Sequence, residues 1–291
     1  MIKKKLIKNA RKIDQFLIKF LKKQQSSLLV KPMKYGVISG GKKIRSTIIF
    51  DAGKIFNISE KKLINICAAV ECIHSYSLIH DDLPCMDNDT IRRGKPATHI
   101  KFGEASAVLA GSSLLTLAFE IIADKKYLLN PKAKNEIIKF LSSCSGHTGI
   151  AGGQELDLKF ENKKKGINQI IDMQKKKTGK LFNFCLYAVG VVAKKNTKDK
   201  LFLSNLGEEI GLLFQLADDF LDFRGLKELL GKPVKKDHKK GKSTLLNLMG
   251  EKKAYLFANN LKRKILRKLE KHGKSAKELI STIEFILERK F

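Results

Sequence analysis

The chain has 291 residues, 43% of them hydrophobic and only five of them proline, so a sizeable core is within reach and a disordered chain is excluded. Its formal charge is +29, from 58 basic against 29 acidic residues, which alone would suit a nucleic acid, an anionic membrane surface or polyphosphate substrates. The excess is mostly lysine in short runs such as Lys3 to Lys5, Lys163 to Lys165 and Lys175 to Lys177, without the interleaved aromatics of a base-stacking surface, so solvated helix faces account for it.

The basic amino terminus places Ile2, Leu6, Ile13, Phe16, Leu17 and Phe20 at helical spacing, which predicts a first amphipathic helix rather than a secretory signal with its unbroken apolar stretch. Apolar residues then recur at three and four throughout: Ile64, Ala68, Cys72 and Ser75; Leu109, Leu114, Leu117 and Ile121; Leu212, Leu216, Phe220 and Phe223. Val108 to Ala123 is apolar nearly all round, the pattern of a helix inside a bundle. Breaks fall at Val37 to Gly41, Pro84 to Pro96, Asn130 and Pro131, Asn162 to Gly166, Asn196, and Gly225 to Gly241, and no Pro/Ser-rich linker divides the chain. The pattern predicts one all-α domain over 1–291, a bundle of about ten helices at ordinary helix lengths. No membrane span is expected. Five cysteines without a CxxC pair fit a reducing cytoplasm better than disulfides or zinc, and Cys85 is expected to fill space.

Two acidic clusters stand out against the basic background. The first is Ile79-His80-Asp81-Asp82-Leu83-Pro84-Cys85-Met86-Asp87-Asn88-Asp89, followed by Arg92-Arg93-Gly94; the second is Gln215-Leu216-Ala217-Asp218-Asp219-Phe220-Leu221-Asp222. Asp218 and Asp222 share a helix face, with Asp219 flanking. Pro84 cannot continue the helix that Asp81 and Asp82 end, and the residues after it are expected to return Asp87 to their face. Carboxylates gathered in this way repel one another unless a cation neutralises them. Two such faces pointing at each other would suit magnesium, which takes few carboxylates, several waters and phosphate oxygens.

Basic motifs lie at fixed offsets. Gly40-Gly41-Lys42-Lys43-Ile44-Arg45 reads either as a glycine turn carrying three cations or as a plain helix start. His74 lies two turns before Asp81 and by itself reads as a core histidine. Arg92 and Arg93 present planar forks suited to phosphate. Lys177-Thr178-Gly179 adds a cation and a hydroxyl, and the loop from Gly231-Lys232-Pro233 to Gly241-Lys242-Ser243-Thr244 adds lysines or is a basic surface loop.

Taken together, GGKKIR, HSYSLIHDDLPCMDND, RRGKPATH, GGQELDL, KTG, FQLADDFLD and GKST resemble, in order and spacing from about Tyr35 onward, the trans-isoprenyl diphosphate synthase family, in particular bacterial-type farnesyl and geranylgeranyl diphosphate synthases. The resemblance implies an all-α bundle around a central cavity, usually a homodimer. It implies that Asp81, Asp82, Asp87, Asp218 and Asp222 hold about three Mg2+ ions on the allylic diphosphate. Arg92, Lys177, Thr178, Gln215, Lys232 and Lys242 would contact that diphosphate. Lys42, Arg45, His74 and Arg93 would hold the diphosphate of isopentenyl diphosphate. The implied chemistry is ionisation of the allylic diphosphate, attack on the cation by the isopentenyl double bond, and proton loss to the released diphosphate. Two departures are visible: Lys43, Ile44 and Ser46 stand where the family usually reads GKRLRP, and Gly111-Ser112 where it reads AGD.

Tyr76 lies five residues before Asp81, about 7.5 Å along a helix axis, and in similar enzymes a large residue at this place stops growth at fifteen carbons. With Ser77 small beside it, the floor rests on Tyr76 and farnesyl diphosphate is the expected product, with geranylgeranyl diphosphate as the alternative. A silent partner subunit would not need both aspartate motifs, a terpene cyclase would not need a second diphosphate site, and only net charge favours a nucleic-acid binder.

Overall fold

A computed structural model describes residues 2–24, 27–38, 40–230 and 244–288, side chains of 224–230 excepted. Lys232 and Lys242 therefore lie outside the described residues. Chain contacts cluster into two compact units, Met1–Phe140 with Val191–Lys195, and Leu141–Gly190 with Asn196–Phe291. The described residues hold fourteen α-helical segments, two of them only five residues long, against the ten or so expected.

The first unit contains α1 (Ile2–Lys22), α2 (Val30–Ile38), α3 (Ile44–Ile55), α4 (Ile64–Asp81), α5 (Thr98–Phe102) and α6 (Glu104–Ala123). Along α1, Leu6, Ile13, Leu17 and Phe20 are buried while Lys3, Lys4, Lys8, Arg11 and Lys19 face water, the amphipathic stripe the spacing predicts. The helix is tied to α3 by Asn9 Nδ2, which donates to Thr47 Oγ1 (3.3 Å), and by the Lys5–Asp51 ion pair (2.9 Å). Helices α4 and α6 pack closely, since Ala68 and Ala69 on one and Ala107, Ala110, Gly111 and Ala118 on the other keep both surfaces low. Asn65 Nδ2 donates to the Ile121 carbonyl (2.9 Å) across this pair.

Two details differ from the sequence reading. Helix α6 is long and apolar enough to cross a membrane, a test that core helices also pass, but it is not enclosed on all sides: Val108 is 42% and Leu109 53% exposed. A small antiparallel hairpin, β1 (Ile91–Arg92) and β2 (Lys95–Pro96), interrupts the helices. Its two-residue turn, Arg93-Gly94, has φ of 53° and 70°, the doubly positive pattern of a type I′ hairpin.

The second unit contains α8 (Ile150–Phe160), α9 (Ile167–Gln174), most of α10 (Lys180–Val192), α11 (Thr197–Leu230), α12 (Leu245–Met249), α13 (Glu251–Glu270) and α14 (Lys277–Glu288); α7 (Pro131–Ser145) runs from one unit into the other. Phe182 and Phe184 are the largest fully buried side chains. A widened π turn, Lys175–Gly179, joins α9 to α10 without a break.

Candidate active-site groups

In the first unit α4 ends at Asp81, and the chain folds back over its end. The Asp87 N–H donates to the Asp81 carbonyl (2.8 Å) and the Asp89 N–H to the Asp82 carbonyl (3.2 Å), so the turn at Pro84 brings Asp87 beside Asp81, as the spacing predicts. Asp81 and Asp87 are half-exposed. Asp82 is 2% exposed and is gripped by Arg92, whose Nε donates to Oδ1 (2.9 Å) and whose second nitrogen also reaches Oδ1 and, at 3.3 Å, Asp89. Burial raises the Asp82 pKa and the Arg92 guanidinium opposes that rise. Cys85 is exposed and fills no interior space, contrary to the sequence reading.

The GGKKIR segment is both things its sequence allowed. Gly40 and Gly41 take φ of 95° and 103°, which a side chain would resist, and α3 begins at Ile44. Its three cations diverge. Lys42 is exposed. Lys43 turns inward, paired with Asp14 of α1 (3.2 Å) and donating to the Val37 carbonyl (2.9 Å). Arg45 is buried. Arg93 donates to the Gly40 carbonyl (2.6 Å), so the hairpin turn and the glycine turn are held together. His74 is kept well below the ordinary imidazole pKa, first by removal from water and then by Arg45, Arg93, Lys43 and Arg92 around it. It is thus neutral at pH 7 and offers an N–H donor within a cationic group.

Ser46, where the family pattern has proline, does something proline cannot. Its hydroxyl donates to the buried Glu71 carboxylate at 2.7 Å, and its N–H lies 3.4 Å from the same oxygen. Glu71 supplies a negative charge within the cationic group.

In the second unit the π turn carries Lys177 and Thr178. Lys177 Nζ donates to Asp157 of α8 (2.5 Å). Thr178 Oγ1 donates to Gln215 Oε1 (2.8 Å), and Gln215 Nε2 donates to Asp219 Oδ1 (2.9 Å). Gln174 Nε2 fills the other oxygen of Asp219 (3.1 Å). Asp219 is thereby buried and consumed as an acceptor, while Asp218 is half-exposed and Asp222, one turn on, is exposed. Single-turn π bulges gather at functional sites, and this one aligns a cation and a hydroxyl beside a carboxylate face.

The donor set fits magnesium. Asp81 and Asp87, and separately Asp218 and Asp222, are half-exposed or exposed oxygen donors, and among the described residues no group of three or more metal-ligating side chains is assembled. A hard ion that keeps its waters and takes phosphate oxygens needs such an open arrangement. Asp157, Gln174 and Glu71 support the predicted residues and were not singled out by sequence, Asp157 alone falling within a quoted motif, GGQELDL; Asp219 and Lys43 were read as part of their motifs but not as supports.

Gly153 offers a direct test of the π turn. A Cβ there would lie 2.2 Å from the Lys177 backbone nitrogen and 2.5 Å from its Cα, so a side chain must displace backbone, not a flexible tip. Gly153→Ala should lower kcat/KM about a hundredfold, the usual effect of a displacement near 1 Å. Steady-state kinetics with activity above a tenth of the parent's would contradict this.

The polyprenyl synthetase family model matches residues 26–283. The farnesyl diphosphate synthase of Escherichia coli is 38% identical over 270 residues, covering 91% of this chain and 90% of its own. Among solved structures, an apo FPP/GFPP synthase from Zymomonas mobilis superposes with a TM-score of 0.88 at 36% identity, covering 98% of each chain. A geranyltransferase from Helicobacter pylori, solved with magnesium and isoprenyl diphosphate, superposes with a TM-score of 0.80 at 30% identity, covering 99% of this chain and 96% of that one.

Proposed function

The chain belongs to the polyprenyl synthetase family, and we propose that it is a farnesyl diphosphate synthase, condensing isopentenyl diphosphate with dimethylallyl and then geranyl diphosphate. One observation carries the reading: a single unit holds half-exposed carboxylates, Asp81 and Asp87, and also a cationic group, Arg45, Arg93 and Lys43 around His74. A condensing enzyme must hold two diphosphates, whereas a cyclase holds one.

Asp81, Asp82 and Asp87, with Asp218 and Asp222, would hold about three magnesium ions, and Asp82 also keeps Arg92 in place. Bound magnesium supplies Lewis-acid stabilisation of the departing diphosphate. Arg92, Lys177 and Thr178 donate to the oxygens of that diphosphate, along with Gln215, Lys232 and Lys242. Lys42, Arg45 and Arg93 hold the second diphosphate by charge, and neutral His74 donates one hydrogen bond to it. The allylic C–O bond breaks with its electron pair leaving on oxygen. The isopentenyl double bond attacks the allylic carbon, and the released diphosphate takes the proton. Exclusion of water protects the cation.

Tyr76 supports the fifteen-carbon product. Its side chain is 8% exposed, and burial, with Asp81 nearby, pushes its phenol up to about 12, so the ring is a neutral wall. Tyr76→Ala should raise the proportion of geranylgeranyl diphosphate about tenfold or more, on the scale at which apolar pockets discriminate by size. Chromatography of products from geranyl diphosphate and excess isopentenyl diphosphate reads this out, and an unchanged product length would refute the floor. Failure of the parent protein to elongate either primer with magnesium would refute the reaction itself.

The family model covers parts of both compact units, which supports a single functional domain over 1–291. The exposed Val108 and Leu109 on α6 support a homodimer through that face. Five cysteines, none of them in a disulfide, fit a cytoplasmic location.

A further inference from the structure

One helical turn along α4 from Tyr76, the His80 ring meets it edge-on, with centroids 5.8 Å apart and planes at 78°, a favourable aromatic geometry. His80 is in turn held from α6, its Nε2 lying 3.1 Å from the Val108 carbonyl oxygen. A carbonyl oxygen only accepts, so Nε2 carries the proton and donates. The ring reaches this position only because α6 has glycine at 111. A Cβ on Gly111 would sit 2.2 Å from Nε2 and 2.5 Å from Cδ2 of His80. Even alanine must evict the ring, and an evicted ring loses the carbonyl and its edge contact with Tyr76 together.

We infer that Gly111 is a specificity-determining position and His80 a positioning residue: α6 locks the His80 ring, and that ring holds Tyr76 in place as the stop for the growing chain. The inference rests on the reading of Tyr76 as the floor. It assigns a role to the Gly111-Ser112 stretch, which the condensation itself does not use. With the ring released, Tyr76 gains rotamer freedom and a further isoprene unit fits beneath the diphosphate.

Four variants, Gly111→Ala, His80→Ala, the two combined, and Tyr76→Ala, are assayed with geranyl diphosphate, excess isopentenyl diphosphate and magnesium, and the ratio of geranylgeranyl to farnesyl product is measured. Gly111→Ala and His80→Ala each raise that ratio about tenfold, the scale of one lost apolar contact. The double variant matches His80→Ala, because alanine at 111 has nothing left to evict, a non-additivity expected of residues in contact. A merely structural role would lower the rate or the melting temperature and leave the ratio alone. Should Gly111→Ala fail to fold, His80→Ala decides, since it removes atoms and adds none. An unchanged or lower ratio in the single variants, with Tyr76→Ala still lengthening the product, overturns the brace and leaves the floor standing. No lengthening in any variant overturns the floor, and the brace with it.

Discussion

Asp81→Asn should lower kcat about a thousandfold or more, since several kcal/mol of charge stabilisation are lost with the ligand and each 1.36 kcal/mol is a factor of ten. The fold should not suffer. Asp81 closes the carboxyl end of α4, where a negative side chain opposes the helix dipole, and the returning turn sets Asp87 beside it. Removing one of two neighbouring charges relieves repulsion but also forfeits attraction to Arg92, so the melting temperature should change by no more than a few degrees. Chelation of magnesium from the parent should abolish turnover and its return restore it, whereas the variant should gain nothing from added metal at ordinary concentrations. Single-turnover kinetics beside thermal melts check both halves. A variant that turns over at a tenth of the parent rate would remove Asp81 from the metal-binding set.

Arg45→Ala should raise the KM for isopentenyl diphosphate by about tenfold to a hundredfold while changing the KM for the allylic substrate little, the range set by loss of one charged hydrogen bond of roughly 1.5–3 kcal/mol. Arg45 is buried and lies within the cationic group around His74, so on the proposed reading its guanidinium would meet the diphosphate from a position already removed from water. Arg45→Lys should recover only part of the affinity, because an ammonium cannot present a planar fork. Equal rises in KM for both substrates would mean that the group serves the allylic diphosphate or the fold at large.

The periodic elements were legible because one face of each is packed and the other wet. In α1 the spacing of Leu6, Ile13 and Leu17 carries the whole prediction. In the second aspartate cluster, a four-residue separation puts Asp218 and Asp222 on one face whatever lies around them. The π turn was invisible, because one extra residue leaves a regular period on either side of Lys175–Gly179. The hairpin escaped notice because each strand is two residues long and its turn uses arginine at a left-handed position. Roles that depend on partners distant in sequence were also out of reach. Asp218 and Asp219 are neighbours of one type, yet Gln174 and Gln215 consume the second. Lys42 and Lys43 are likewise identical on paper, and only Asp14, far along the chain on α1, turns the second inward. The stripe over Val108 to Ala123 misled because an apolar surface and an apolar interior look alike in sequence.

The Arg93-Gly94 turn has a consequence for how this region tolerates change in length. Arg92, in the strand, grips Asp82, and Arg93, in the turn, donates to the Gly40 carbonyl, two neighbours committed to different partners. Inserting or deleting one residue would slip the pairing of β1 with β2 and turn the strand side chains beyond it to the other face, moving both arginines off their partners. Point substitutions remove one contact at a time, whereas a single-codon indel would break both. Natural and engineered variants of this hairpin should therefore differ in side chain far more readily than in length.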